Sequence, residues 1–268
     1  MTGGRWLASW GTVALVFLAA APREAAAEAG APAPRTESFT IRGHDQTLHL
    51  YGERGGPVAI VSSGDGGWVH LGPDVAAFLA SQGYFVVGFD AKAYLSGFTT
   101  STATLTVDDV PRDYAALVDY AAQGGAGRPL LVGVSEGAGL SLLAATAPDI
   151  QARVEGVIAL GLPENNELGW RWRDSLIYLT KKVPNEPTFS AREVAGRVAP
   201  VPLAAIHSTH DEFVPLPEVK EILANAREPK RLWVVDSKNH RFSDNEPELQ
   251  RSIKEAISWM QSASKTGR

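Results

Sequence analysis

No cysteine occurs anywhere in the 268 residues. That excludes disulfides, thiol nucleophiles, cysteine metal sites and a lipid-modified N-terminal cysteine, so in an oxidising compartment stability rests on the core alone. An excess of positive charge is missing as well. Against 30 Asp and Glu there are 25 Lys and Arg, a net charge of −5, and nothing points to nucleic acid as a partner. The chain contains neither the Gly-x-x-x-x-Gly-Lys of a phosphate loop nor a G-x-G-x-x-G dinucleotide fingerprint. No metal-ligand cluster or internal repeat is visible, so neither a cofactor nor a metal is expected.

Long apolar runs are also scarce. The one candidate, Leu7 to Ala21, is interrupted by Ser9, Gly11 and Thr12 and falls short of the about 20 residues a membrane-spanning helix needs. With Arg5 before it and Ala25 to Ala27 after it, the run reads as an export signal cleaved after Ala27. An uncleaved anchor is the alternative. The expected location is periplasmic or secreted. Residues 28–37, EAGAPAPRTE, are Pro/Ala-rich and expected to be a disordered lead-in.

From residue 38 to 268 the chain alternates short β-branched runs with longer amphipathic ones. SFTIRG and TLHLYG alternate with period two and predict an opening hairpin. PVAIVSS, FVVGFDA, PLLVGVS, VEGVIALG, PLAAIHS and KRLWVVD are nearly continuous apolar runs, each reading as a buried strand. Between or after them lie the helical patterns DVAAFLASQG, VPRDYAALVDYAA, GAGLSLLAATA, PEVKEILANA and LQRSIKEAISWM, with a Thr/Ser-rich loop over 96–106. Such a rhythm predicts an α/β fold with a mostly parallel sheet and helices on both faces. Residues 163–197, polar and rich in Trp and basic side chains, break the rhythm and predict a cap-like or irregular excursion.

In GVSEGAG, Ser135 stands at the end of the strand PLLVGVS and directly before a helix. The G-x-S-x-G pattern alone is weak, but this setting is that of a nucleophile elbow, whose sharp turn needs glycine at 133 and 137. A glycine-rich turn with a serine helix cap is the alternative. A serine hydroxyl needs a base, and the base an orienting acid, in the chain order Ser, acid, His. Asp211 in HSTHDEFVP and His240 in VVDSKNHRFSD come after the last two strands in that order. Glu212 and Asp236 are rival acids, while His207 and His210 read as structural or pocket-lining. For the oxyanion, one donor is expected from the amide of Glu136 and the other from SSGDGGW, at Gly64 or Asp65.

SGDGGW, followed by D-V-A-x-x-L-A-x-x-G-x-x-V-V-G-x-D and by Tyr94 four residues after Asp90, resembles the bacterial virulence protein family VirJ/AcvB. The resemblance is strongest over residues 57–140. It implies an exported α/β-hydrolase, a periplasmic serine hydrolase acting on aminoacylated phosphatidylglycerol. The family's elbow usually reads G-Y-S-F-G-A-D, and this one departs from it at Glu136. DEFVP and NHRF instead resemble esterases and dienelactone hydrolases. Trp68, Tyr94 and Trp170 are the candidate substrate contacts. The stretch GWRWRD (169–174) with Lys181 and Lys182 could grip a phosphate or rest on a membrane surface, or be an amphipathic edge with a solvated face. The Glu136 carboxyl could attract a cationic acyl group or face solvent.

The expected function is cleavage of a small-molecule or lipid ester through Ser135, His240 and Asp211. A peptidase or acyltransferase on the same residues is one alternative. A non-catalytic chaperone or docking protein on a hydrolase fold is the other.

Overall fold

The computed structural model describes residues 34–171 and 186–266. In chain order the first half contains β1 (Arg35–Ile41), β2 (His44–Tyr51), β3 (Pro57–Ser62), α1 (Leu71–Ser81), β4 (Phe85–Phe89), α2 (Ala91–Gly97), α3 (Asp109–Gly124), β5 (Ala126–Val134) and α4 (Glu136–Ala144). The second half contains α5 (Pro148–Arg153), β6 (Gly156–Leu160), β7 (Asn165–Glu167), β8 (Thr188–Ser190), α6 (Ala191–Ala195), β9 (Leu203–Ser208), α7 (Leu216–Asn225), β10 (Lys230–Val235) and α8 (Glu246–Thr266).

Eight strands form one sheet in the order β1-β2-β4-β3-β5-β6-β9-β10. β1 pairs antiparallel with β2 and β2 antiparallel with β4, whereas β4, β3, β5, β6, β9 and β10 run parallel. Strand periodicity divides the core. Val58, Ile60 and Leu131 point to the face covered by α3 and α4, while Ala59, Val61, Leu130 and Val132 point to the face covered by α1 and α8. Helix α4 is buried along its whole length, from Glu136 to Ala144. No polar stripe appears in EGAGLSLLA for that reason.

From β3 the chain first builds β4 on one side, then crosses back to lay β5 on the other. The crevice at this reversal, beyond the carboxyl ends of β3 and β5, is where open α/β sheets bind ligands. The sequence places SSGDGGW after β3 and Ser135 after β5, both at its rim.

Two expectations need correction, and one helix was not expected. The lead-in does not extend to residue 37, because β1 begins at Arg35 and its backbone pairs with Leu50. The supposed loop over 96–106 starts inside α2, whose N-cap Asp90 accepts from the Ala93 amide. The short α5 lay hidden behind Pro148, which occupies a first-turn position where no amide donor is needed.

Of the excursion, β7 and β8 form a two-stranded antiparallel sheet. Its neck is closed by Leu168 N–H donating to the Pro187 carbonyl (2.8 Å) and by the Arg171–Glu186 ion pair. Residues 172–185, with Trp172, Arg173, Lys181 and Lys182, lie outside the described residues, as do the expected export signal and the first part of the lead-in.

Candidate active site

Ser135 has φ 50° and ψ −116°, a left-handed backbone that a non-glycine residue rarely adopts. Two close approaches enforce it. A methyl group at Gly133 would lie 2.2 Å from the Gly137 carbonyl oxygen, and one at Gly137 would lie 2.3 Å from the Ser63 carbonyl oxygen. Only hydrogen at both positions lets β5, α4 and the loop after β3 meet at one point. The serine amide donates to the Leu160 carbonyl (2.8 Å), so the sheet ladder continues through it. Its side chain does not cap the helix, which disposes of the helix-cap alternative.

The loops after β9 and β10 bring the other two groups together. His240 Nδ1–H donates to Asp211 Oδ2 at 2.6 Å. The other oxygen, Asp211 Oδ1, accepts from the Phe213 and Val214 amides at 2.9 and 2.8 Å. Burial works to raise the Asp211 carboxyl, but the His240 hydrogen bond and charge, with the two amides, outweigh it and hold the carboxyl below its ordinary range. His240 is buried, with Phe213 edge-on to its ring at 5.6 Å. Phe213 was not singled out in the sequence. Its only signal is an aromatic in a loop that otherwise turns with polar residues.

Both rival acids have other positions. Glu212 accepts from the His240 backbone amide (2.7 Å), fixing the loop rather than the ring. Asp236 is exposed. Asp244 organises the histidine loop from below, accepting from Ser237 Oγ at 2.6 Å and from the Lys238 amide at 3.1 Å.

His240 also reaches the serine's surroundings. A methyl group on Gly161 would meet His240 Cε1 at 2.6 Å, and Gly161 directly follows Leu160, whose carbonyl holds the Ser135 amide. Gly64 closes the other side, where an added methyl would lie 3.3 Å from Ser135 Cβ and 4.0 Å from its Oγ. The loop carrying Gly64 and Asp65 is pinned at both ends. Ser63 Oγ accepts from the Ala91 amide (3.1 Å), and Asp90 accepts from the Trp68 amide (3.1 Å).

Two of the three expected substrate contacts are structural instead. Trp68 stacks on His49 at 4.8 Å, donates to the Tyr51 hydroxyl at 3.3 Å and covers Gly88, so its ring is packed onto the sheet. Tyr94 is wholly buried and donates to Asp113 (2.6 Å), which is paired bidentately with Arg42. Trp170 stands at the excursion's neck, where its amide donates to Thr99 and Lys92 lies over its ring at 4.4 Å. Glu136 is corrected in both its readings. Its carboxyl is neither solvent-facing nor open to a substrate group, but buried and accepting from the Glu167 amide at 2.6 Å. A cavity of about 220 Å³ between α1 and α8 borders Arg241 and Phe242, but its lining does not include Ser135.

A mixed, mostly parallel eight-stranded sheet with a strained serine at the β5–α4 turn defines an α/β-hydrolase fold, and solved structures agree. Est1E from Butyrivibrio proteoclasticus is 14% identical, with a TM-score of 0.63, over 85% of this chain and 99% of its own. A putative dienelactone hydrolase from Klebsiella pneumoniae is 16% identical, with a TM-score of 0.62, over 86% and 99%. A membrane phospholipase A described as a bacterial virulence factor is 12% identical, with a TM-score of 0.63, over 85% and 87%. Residues 56–171 match the family described as Bacterial virulence protein (VirJ). No curated protein matches the sequence.

Proposed function

We propose that the protein is a serine ester hydrolase. The observation that carries this reading is Ser135 held at φ 50° on the crevice, across from a histidine already bonded to a buried aspartate. His240 Nε2 takes the Ser135 proton as Oγ attacks the ester carbonyl, and returns it to the departing alcohol. Asp211 keeps the imidazole in the tautomer that leaves Nε2 bare and stabilises the cation that forms. The oxyanion is met by the Glu136 amide, which opens α4 and has no intrahelical partner, and by an amide of the Gly64–Asp65 loop. Water, activated by the same histidine, then releases the acyl group from Ser135.

The phospholipase and esterases among its structural neighbours and the VirJ match favour an ester of a lipid or aminoacylated lipid as substrate. The Lys92–Trp170 pair at the neck offers such a substrate a cationic and aromatic rim.

A fluorophosphonate probe tests the nucleophile. Wild type is expected to label, Ser135→Ala not at all, and His240→Ala slowly. Equal labelling of wild type and Ser135→Ala would remove the serine from the mechanism. Hydrolysis of lysyl-phosphatidylglycerol compared with short p-nitrophenyl esters then decides between lipid and soluble substrates.

A further inference from the structure

His207 is a titratable group at the site for which the proposed chemistry has no use. It lies near the end of β9, paired in register with Val234 of β10, and is wholly buried. Its Nε2 is 2.9 Å from the Val214 carbonyl oxygen. A carbonyl can only accept, so Nε2 carries the proton and Nδ1 is bare. That Nδ1 is buried with no hydrogen-bond partner among the described residues. Burial pushes the imidazole's pKa down and favours the neutral ring.

Val214 is thereby gripped from both sides. Its carbonyl takes the His207 proton, while its amide donates to Asp211 Oδ1 at 2.8 Å. The His207 Nε2–H edge also stands 3.9 Å from Asp211 Oδ2, the oxygen that holds His240. A residue present only to fill volume would be apolar. Stranding a buried ring nitrogen forfeits its hydrogen bond to water, a cost that an aliphatic side chain avoids.

We propose that His207 is the positioning residue of the acid loop: by holding the Val214 carbonyl it aims the loop's amides at Asp211 Oδ1 and leaves Oδ2 turned towards His240. This rests on the serine-hydrolase reading for its effect on rate, but not for its effect on the Asp211–His240 bond. His207→Phe fills the volume and removes the donor. His207→Gln carries a side-chain N–H near the place of Nε2.

The experiment takes two readouts in the full chain, with melting temperature as a fold control. One is the downfield proton resonance of the His240 Nδ1–H, identified by its loss in Asp211→Asn. The other is the rate of fluorophosphonate labelling at Ser135. In His207→Phe the resonance is expected to move upfield or vanish and labelling to slow by ~10- to 100-fold, the scale of a small misplacement of a reacting group. His207→Gln is expected to restore most of both. If His207→Phe does not fold, His207→Asn, too short to reach the carbonyl, replaces it in the comparison with Gln. A folded His207→Phe with wild-type resonance and rate overturns the proposal, as does a Gln variant no better than Phe. If the wild type itself does not label, the nucleophile assignment fails, and the resonance alone decides the role of His207.

Discussion

Glu136 carries its carboxyl one residue past the proposed nucleophile, beneath α4, where water is excluded. Burial first, then the nearby charges of Glu167 and Asp65, push its pKa well above the usual carboxylate range, and the Glu167 amide only partly offsets them. The buried Tyr114 phenol, raised to about 12 chiefly by burial, is a further neighbour that feels its charge. A raised folded value means that the folded chain binds the proton more tightly than the unfolded one. The stability this gives is present below about pH 4.3, the ordinary glutamate value, and is lost as pH rises through the folded value. Glu136→Gln keeps an oxygen for the Glu167 amide but has no proton to lose. Its stability relative to wild type is therefore expected to grow with pH in that window, by up to about 1.4 kcal/mol per pH unit. Urea titrations across pH 4 to 9 measure it. Parallel pH curves for the two proteins would show that Glu136 is not the group involved. The sequence marked this residue as the departure from the VirJ pattern. It could not say that the carboxyl turns inward, because the strand that meets it, β7, lies in a segment with no readable period.

The elbow joins β5, α4 and the loop after β3 so closely that its glycines are steric requirements. In Gly137→Ala the new methyl would press on the carbonyl oxygens of both Ser62 and Ser63 at 2.3–2.4 Å. Backbone cannot yield as a flexible side chain can, and overpacking of this kind typically destabilises by about 1–3 kcal/mol. Chemical denaturation of Gly137→Ala is expected to show a loss of at least that size, with labelling by the fluorophosphonate impaired even in the folded fraction. A variant as stable and reactive as wild type would mean that the loop and helix are not packed as described. This element was legible beforehand because its parts are local: strand, serine and flanking glycines are contiguous. The His240–Asp211 partnership was legible through chain order, each residue coming just after a strand. Trp68 and Tyr94 were misjudged for the opposite reason. Their partners, His49 and Asp113, are distant in sequence, and a motif does not reveal which way a ring turns.

Across the whole chain, the parallel sheet and its helical faces were readable from continuous apolar runs, since strands buried on both sides carry no alternation. What escaped the pattern were α2, α5, α6 and the β7–β8 pair, each too short for a period to be read. The proposed export signal belongs to this scale too, because it would govern where the molecule acts. If it is cut after Ala27, protein recovered from the periplasm should begin at Glu28, as read by intact mass and N-terminal sequencing. A full-length chain retained in the cytoplasm would contradict export. The architecture has a consequence for the proposed export. Ser135 enters the sheet with β5 and β6, but His240 and Asp211 arrive only with the loops after β9 and β10. In the proposed mechanism, a chain still threading through a translocation pore would carry Ser135 without the histidine and aspartate that activate it. Contacts this distant in sequence are slow to form, because loop closure must precede them. On the proposed reading, hydrolytic competence would belong to the finished fold alone, and an exported ester hydrolase would cross the membrane unarmed.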